Sequence, residues 1–358
     1  MKKIVFVTPF SHAFLAYPLQ KHRKALKKAG FFLKVTQRLP KNIDEYSFAI
    51  ITRAFFVKCA RNRNLTEGPH DLIKRTADKL HSKGVKVIFF DDRDSTASAF
   101  FQVLPYVDVF LKRQHLKNLE TYIDTEYAKT HSGWLVSAKP RSFAVARADQ
   151  LHKIRLAWNV GFEDFGPWRK AAKIASWYGL TWSSSRAEPS LDRRIITGFR
   201  GALGGSRRKH RQEAIDSIER CSIGETRTRG RVSRRKYLKE MRDSLTAVSP
   251  FGFGEPCYRD FEAILAGAVL VKPDMSHLET YPDVYKPYST YVPVRWDFED
   301  LEETLIDLLS DRNVLLEISS AAQVQYLDQI NSSHNFTRFF ANILDAASTI
   351  SDPIGDAQ

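Results

Sequence analysis

The chain has 358 residues, 43% of them hydrophobic, with 55 Lys+Arg against 41 Asp+Glu for a net charge of +14. That composition excludes global disorder, and the length favours two domains. Three widely spaced cysteines (Cys59, Cys221, Cys257) exclude a disulfide framework and a cysteine zinc site, and no apolar run approaches the ~20 residues of a membrane-spanning helix. The apolar run after Met1 is too brief for a secretion signal, so a soluble protein of a reducing compartment is expected.

In chain order, Lys3–Thr8 reads as a buried strand of β-branched and aromatic residues, followed by a basic amphipathic helix over Tyr17–Ala29 stopped by Gly30. Strands follow at Phe31–Thr36, Phe48–Thr52, Val85–Phe90 and Val107–Leu111, with a helix over Asp71–Ser82. Leu156–Val160 reads as one more strand and Trp168–Tyr178 as a helix. A Ser-rich segment around 180–190 then joins a second unit: strand Ile195–Phe199, helix Arg207–Cys221, a basic loop Gly224–Arg234, helix Arg235–Asp243, strand Leu245–Ser249, helix Cys257–Ala266 and strand Ala268–Lys272. Helices at Asp300–Leu309, Asn313–Ile330 and Thr337–Ala347 complete it. Alternating strands and helices predict an α/β protein of two Rossmann-like doubly wound domains, 1–182 and 193–358, facing each other across a cleft.

The charge is uneven. Residues 1–180 hold 32 basic and 15 acidic side chains, residues 181–242 hold 17 and 7, and residues 243–358 hold 6 and 19. The first half should therefore attract anions, with nucleic acid, an anionic membrane surface or a phosphorylated substrate as candidates.

The most informative stretch runs from Ser249 to Pro273 as strand, glycine turn, helix, strand. Gly252 and Gly254, either side of Phe253, allow backbone N–H groups to approach an anion at a helix N-terminus. Arg259 adds a planar charged fork, and Glu262 lies three residues on, on the same helix face, where a carboxylate suits paired hydroxyls. The competing reading is a tight turn with a salt-bridging glutamate.

This string, Arg259-Asp-Phe-Glu262-Ala-Ile-Leu-Ala-Gly267 ahead of an apolar strand, resembles the donor-binding segment of GT-B glycosyltransferases, closest to the CgeB-like and group-one branches. The resemblance covers roughly residues 193–300. It implies transfer from a nucleotide-sugar to a glycan or lipid-linked glycan in polysaccharide biosynthesis, with no metal cofactor. It also implies that Glu262 binds the ribose, the Gly252–Gly254 loop the diphosphate and Glu255 the sugar side. Glu255 and Glu262 are separated by six residues where many retaining members have seven, which leaves the stereochemical course open.

Three further groups are candidates. Arg200, in a Gly-Phe-Arg-Gly turn after the second unit's first strand, suits a donor phosphate, and Arg234 and Lys236 sit where a basic loop enters a helix. Asp94, just past the strand ending at Phe90, is a candidate base for an acceptor hydroxyl. Asp92-x-Asp94 is also the metal-binding spacing of the other main glycosyltransferase fold, GT-A, which is one alternative; the plainer reading of these aspartates is a polar turn that caps a helix. A non-enzymatic nucleic-acid-binding protein is the other alternative, and it has no use for the glycine turn or Arg259-x-x-Glu262. A basic surface suits peripheral attachment to the inner, anionic face of a membrane from the cytoplasm.

Overall fold

A computed structural model describes residues 1–62, 68–98, 100–124, 144–162, 174, 176–178, 186–204, 208–228, 230 and 232–349. Most of the expected helix over Trp168–Tyr178 and most of the Ser-rich joining segment lie outside the described residues; 174 and 176–178 are helical.

The first domain is built on a parallel sheet of β1 (Lys2–Val7), β2 (Phe31–Thr36), β3 (Phe48–Thr52), β4 (Lys86–Asp91), β5 (Val109–Lys112) and, beyond the short β6 (Gln114–Leu116), β7 (Ile154–Leu156). Its strand order is β2-β1-β3-β4-β5-β7. Alternation along each strand sends Ile4, Phe6, Ile50 and Phe90 to one face and Val5, Val7, Ile51 and Phe89 to the other, so both faces are apolar and both are covered. The predicted helix over 17–29 is two short helices, α1 (Tyr17–Lys21) and α2 (Arg23–Lys28), parted at His22. Helix α3 (Arg53–Asn62) follows β3 directly, and α4 (Pro69–His81) precedes β4. The strand expected over Leu156–Val160 lies earlier, at β7.

The second domain repeats the pattern. Strand β8 (Thr197–Gly198) pairs with β9 (Thr226–Arg227), and β10 (Thr246–Val248), β11 (Val269–Pro273) and β13 (Val292–Val294) form a second parallel ladder, with β12 (Leu278–Thr280) standing apart from it. Backbone hydrogen bonds from Leu245 to Ile195 (2.8 Å) and from Thr246 to Ile196 (3.0 Å) join the two ladders. The resulting order, β9-β8-β10-β11-β13, matches the first five strands of the other sheet. Its helices are α5 (Arg208–Arg220), α6 (Arg234–Arg242), α7 (Tyr258–Leu265), α8 (Leu301–Ser310), α9 (Arg312–Asn331) and α10 (Ser333–Thr349). No helix among the described residues is long and apolar enough to cross a membrane.

Two elements tie the domains most visibly together. Helix α10 belongs to the tail counted with the second domain, yet Phe336, Phe340, Ile343 and Leu344 pack into the first domain's core beside Phe6, Leu26 and Trp158. Strands β6 and β12 form an antiparallel pair across the domain junction.

Candidate nucleotide-sugar site

In this strand order the chain reverses direction between the first and third strands, and the crevice beyond their carboxyl ends is where open α/β sheets hold ligands. In the second domain that crevice lies past β8 and β10. Ser249 and Pro250 follow β10, and the Gly252 N–H donates to the Gly254 carbonyl (2.9 Å), so the loop turns tightly before α7. Helix α7 is closed by a capping box: the Asp260 carboxylate accepts from the Cys257 N–H at 3.0 Å. Asp260 is fully buried and also holds the Ser249 hydroxyl, the Tyr285 hydroxyl (2.7 Å) and the Lys272 ammonium (3.3 Å). The helix thus carries its own anion in its first turn, where the aligned peptide dipoles favour one. A ligand's negative charge at this place depends on side chains instead.

Arg259 is the side chain placed to meet it. Its guanidinium lies 4.4 Å above the Phe199 ring, and Nη1 donates to the Pro250 carbonyl at 3.2 Å and the Ser249 hydroxyl at 3.4 Å. Among the described residues no carboxylate forms an ion pair with it, and its Nε is buried without a hydrogen-bond partner. A buried donor on an uncompensated cation costs free energy in the empty protein, and an incoming anion removes that cost.

Glu262, one turn further along α7, is 8% exposed. Helix α6 supplies its partners: Arg234 donates to Oε1 at 3.0 Å and the Tyr237 hydroxyl to Oε2 at 2.8 Å. Burial, reinforced by the Glu262 charge, pushes the Tyr237 hydroxyl well above its ordinary pKa near 10, so it remains a donor. Three residues on, Glu240 takes both Nε and Nη2 of Arg200 (2.8 and 3.1 Å), and Arg200 Nη1 reaches the Thr228 carbonyl. Arg200 is therefore engaged in a two-pronged ion pair that fixes the turn after β8 against α6. Arg234, Tyr237 and Glu240 recur every three residues and share one face of α6. Lys236 lies off that face with an exposed side chain. The structure brings Arg200, Arg234, Arg259 and Glu262 together at the crevice and leaves Lys236 outside. Tyr237 and Glu240 escaped the sequence reading, although their spacing from Arg234 marks them.

Gly254, Glu255 and Asp94 meet at the domain junction. A side chain on Gly254 would overlap the Asp94 carbonyl, 1.3 Å from where its Cβ would stand, so only glycine permits this approach. Glu255 is fully buried and accepts from the Thr96 hydroxyl (2.8 Å) and the Thr96 N–H (3.2 Å) of the first domain. Burial raises its pKa, with the Thr96 bonds acting against it. Asp94 keeps a side chain 34% exposed and pairs with Arg113 at 2.8 Å. Phe253, at the tip of the glycine turn, is 73% exposed.

The aspartates before Asp94 serve the first domain. Asp91 is fully buried among Arg93 (3.1 Å) and Lys112 (3.4 Å). Burial alone would raise its pKa, and the two cations outweigh it and hold the carboxyl well below the usual range. Asp92 takes Arg53 and the Ala54 N–H, each at 2.8 Å, and so caps α3, as the cap reading of these aspartates expects. Burial lowers Lys112 to about 8, with Asp91 pulling the other way. Among the described residues no group of three or more His, Cys, Asp or Glu stands ready for a metal ion, and Asp92 and Asp94 turn to different arginines.

No family model matches the chain, and no curated protein matches it. Among solved structures it is similar to Anabaena Alr3699/HepE in complex with UDP (11% identity, 97% of this chain and 100% of that one, TM-score 0.47). It is also similar to sucrose-phosphate synthase from Thermosynechococcus elongatus (10%, 97% and 100%, TM-score 0.48) and to an alpha-glucosyltransferase in complex with UDP (11%, 96% and 99%, TM-score 0.41). Such distant likenesses decide nothing about activity. The two Rossmann-like domains stand on their strand order.

Proposed function

We propose that the chain is a glycosyltransferase of the GT-B kind that moves a sugar from a nucleotide-sugar to a glycan or lipid-linked glycan without a metal cofactor. The observation that carries this reading is Arg259: a cation without a carboxylate partner among the described residues, its Nε buried and unsatisfied, one helical turn from the buried Glu262 at the second domain's crevice. An anion beside paired hydroxyls is what a nucleoside diphosphate offers to that pair. In the reaction, Glu262 accepts from the ribose hydroxyls while Arg259 and Arg234 meet the diphosphate. The acceptor hydroxyl attacks the anomeric carbon, the bond to phosphate breaks, and the electron pair leaves with the diphosphate. Asp94, the partly exposed carboxylate at the junction, takes the acceptor proton. Glu255 supports the arrangement from its buried bond with Thr96, which holds the glycine turn against the first domain. The basic first domain faces the acceptor, at the cytoplasmic face of an anionic membrane.

The test is a thermal-shift panel of UDP-, GDP-, CMP- and TDP-sugars on the wild type, Arg259→Ala and Glu262→Ala. A ligand that binds only the folded state raises the melting temperature. One class should stabilise the wild type and lose its effect in both variants; equal shifts in all three proteins overturn the assignment, and retained turnover in EDTA is expected.

A further inference from the structure

We propose that a pocket at the carboxyl end of β2 is a subsite for an acidic sugar residue within the acceptor glycan. The pocket has a volume of about 420 Å³ and is lined by Val35, Thr36, Gln37, Arg38 and Trp177. None of these residues belongs to the site around Arg259 and Glu262; all lie in the first domain.

Its walls divide the work of recognising a sugar acid. Trp177 supplies a flat aromatic surface whose electron-rich face attracts the polarised C–H groups of a pyranose ring. That wall is held in place: Gln20 Nε2 donates to the Trp177 carbonyl at 2.9 Å, and Phe10 meets the indole edge-on at 5.7 Å. The Gln37 amide offers a donor and an acceptor for ring hydroxyls, and Arg38 offers a two-pronged fork that fits a carboxylate. The Thr36 hydroxyl accepts from the Arg38 N–H at 3.3 Å and donates to its carbonyl at 3.0 Å, which fixes the turn presenting these side chains. A free phosphate has no use for the indole wall, and a neutral sugar has no use for Arg38.

The surroundings select the acid. Lys34, two residues before Thr36 on the same strand face, and Arg23, which donates to the Leu33 carbonyl at 3.4 Å, are both exposed, so the strand leading to the pocket carries further positive charge. Position then says which sugar is read. In the order β2-β1-β3-β4, β2 lies three strands from β4, whose end carries Asp94 against Gly254. At the usual spacing between strands that is about 14 Å. The pocket therefore grips a sugar some units back from the one that receives the transfer, and selects acceptors by an acidic residue inside the chain.

This inference rests on the transferase reading only for the word acceptor, and the experiment separates the two. Binding of hyaluronan and oligogalacturonate hexasaccharides, cellohexaose and inorganic phosphate is measured by calorimetry on the wild type, Trp177→Ala and Arg38→Gln, with UDP-sugar binding followed in parallel. An acidic hexasaccharide should bind the wild type and weaken about ten-fold or more in each variant, as loss of an anchoring aromatic or arginine does. Cellohexaose should bind the wild type more weakly than the acidic hexasaccharide and lose nothing further in Arg38→Gln, and UDP-sugar binding should not change. Equal binding of cellohexaose, variants that bind like the wild type, or displacement by inorganic phosphate alone overturns the subsite. Failure of every UDP-, GDP-, CMP- and TDP-sugar with the hexasaccharide pattern intact overturns the transferase reading and leaves the subsite standing.

Discussion

In the first domain the crevice between β1 and β3 is closed by the protein itself. The Thr52 hydroxyl bonds to the Val7 carbonyl (3.3 Å) and the Thr8 hydroxyl (3.4 Å) across it, and Asp92 satisfies both the start of α3 and the cation Arg53. In the second domain the equivalent helix also carries its own carboxylate, but the cation that Asp260 takes is Lys272 from β11. Arg259 has no carboxylate among the described residues and is stacked on Phe199 and bonded to neutral oxygens. Strand order places a crevice at both positions; whether it is a binding site depends on whether one charge remains unmatched.

If the first domain's charges are structural, breaking them should unfold the protein, which is the largest effect expected. Lys112→Met leaves Asp91 buried with less compensation. Loss of one partner of a buried pair costs about 3–5 kcal/mol. The double change Asp91→Asn with Lys112→Met should recover part of that, because the two most deeply buried charges leave together while Arg93 keeps its bond to the Ala97 carbonyl. Urea unfolding of the three proteins checks both; a Lys112→Met protein as stable as the wild type would contradict the structural role.

The tie between the domains is next in size and depends on pH. His22 is 2% exposed, donates from Nε2 to the Ile330 carbonyl (3.2 Å), meets the Ser333 hydroxyl at Nδ1 (2.9 Å), and stacks on Phe336. Burial, with Lys21 adding repulsion, lowers its pKa from 6.5 to about 4. The folded state thus prefers neutral His22, and between those values the unfolded chain binds the proton more readily. The stabilisation is complete above pH 6.5 and is lost as pH falls toward 4, a change of roughly 3 kcal/mol. His22→Gln should flatten that part of the stability profile. A variant with the wild-type slope would show that other groups carry it.

The second domain calls for the opposite outcome to Lys112. Among the described residues Arg259 has no carboxylate partner to abandon, so Arg259→Met should leave thermal stability unchanged or raised. Nucleotide-sugar affinity should fall about 10- to 100-fold, the worth of hydrogen bonds to a charged group. Stability that falls together with affinity would move Arg259 into the structural class of Lys112 and erase the contrast between the two crevices.

The strands were legible because burial on both faces writes them as unbroken runs such as Ile4–Val7 and Phe48–Thr52. Arg259 and Glu262 were legible because helical spacing is local. What decides their roles is not local. The break at His22 answers to Ser333, 311 positions away, and Glu255 answers to Thr96, 159 away. Strands β6 and β12 are three residues each and pair only because the domains meet there. Arg200 looked as suitable for phosphate as Arg259; its partner Glu240 lies on another helix, 40 positions on.

Arg234 and Lys236 make the finest test, because both are basic, two positions apart, at the start of one helix. The sequence offers no reason to prefer either. Ser233 caps α6 by accepting from the Lys236 N–H at 3.3 Å, which involves the backbone of Lys236 and not its side chain. Successive residues of a helix point about 100° apart, so a two-residue step turns Lys236 away from the face that Arg234 and Tyr237 present to Glu262. Lys236→Ala should therefore alter stability by no more than ~0.5 kcal/mol, the ordinary surface range, and affinity by less than about two-fold. Arg234→Ala should weaken donor binding several-fold more, since it removes both a cation and the bond that orients Glu262. Titration of the same nucleotide-sugar into both variants decides the matter: an equal loss in the two would mean that the loop acts through its bulk charge, and that the geometry of α6 contributes nothing.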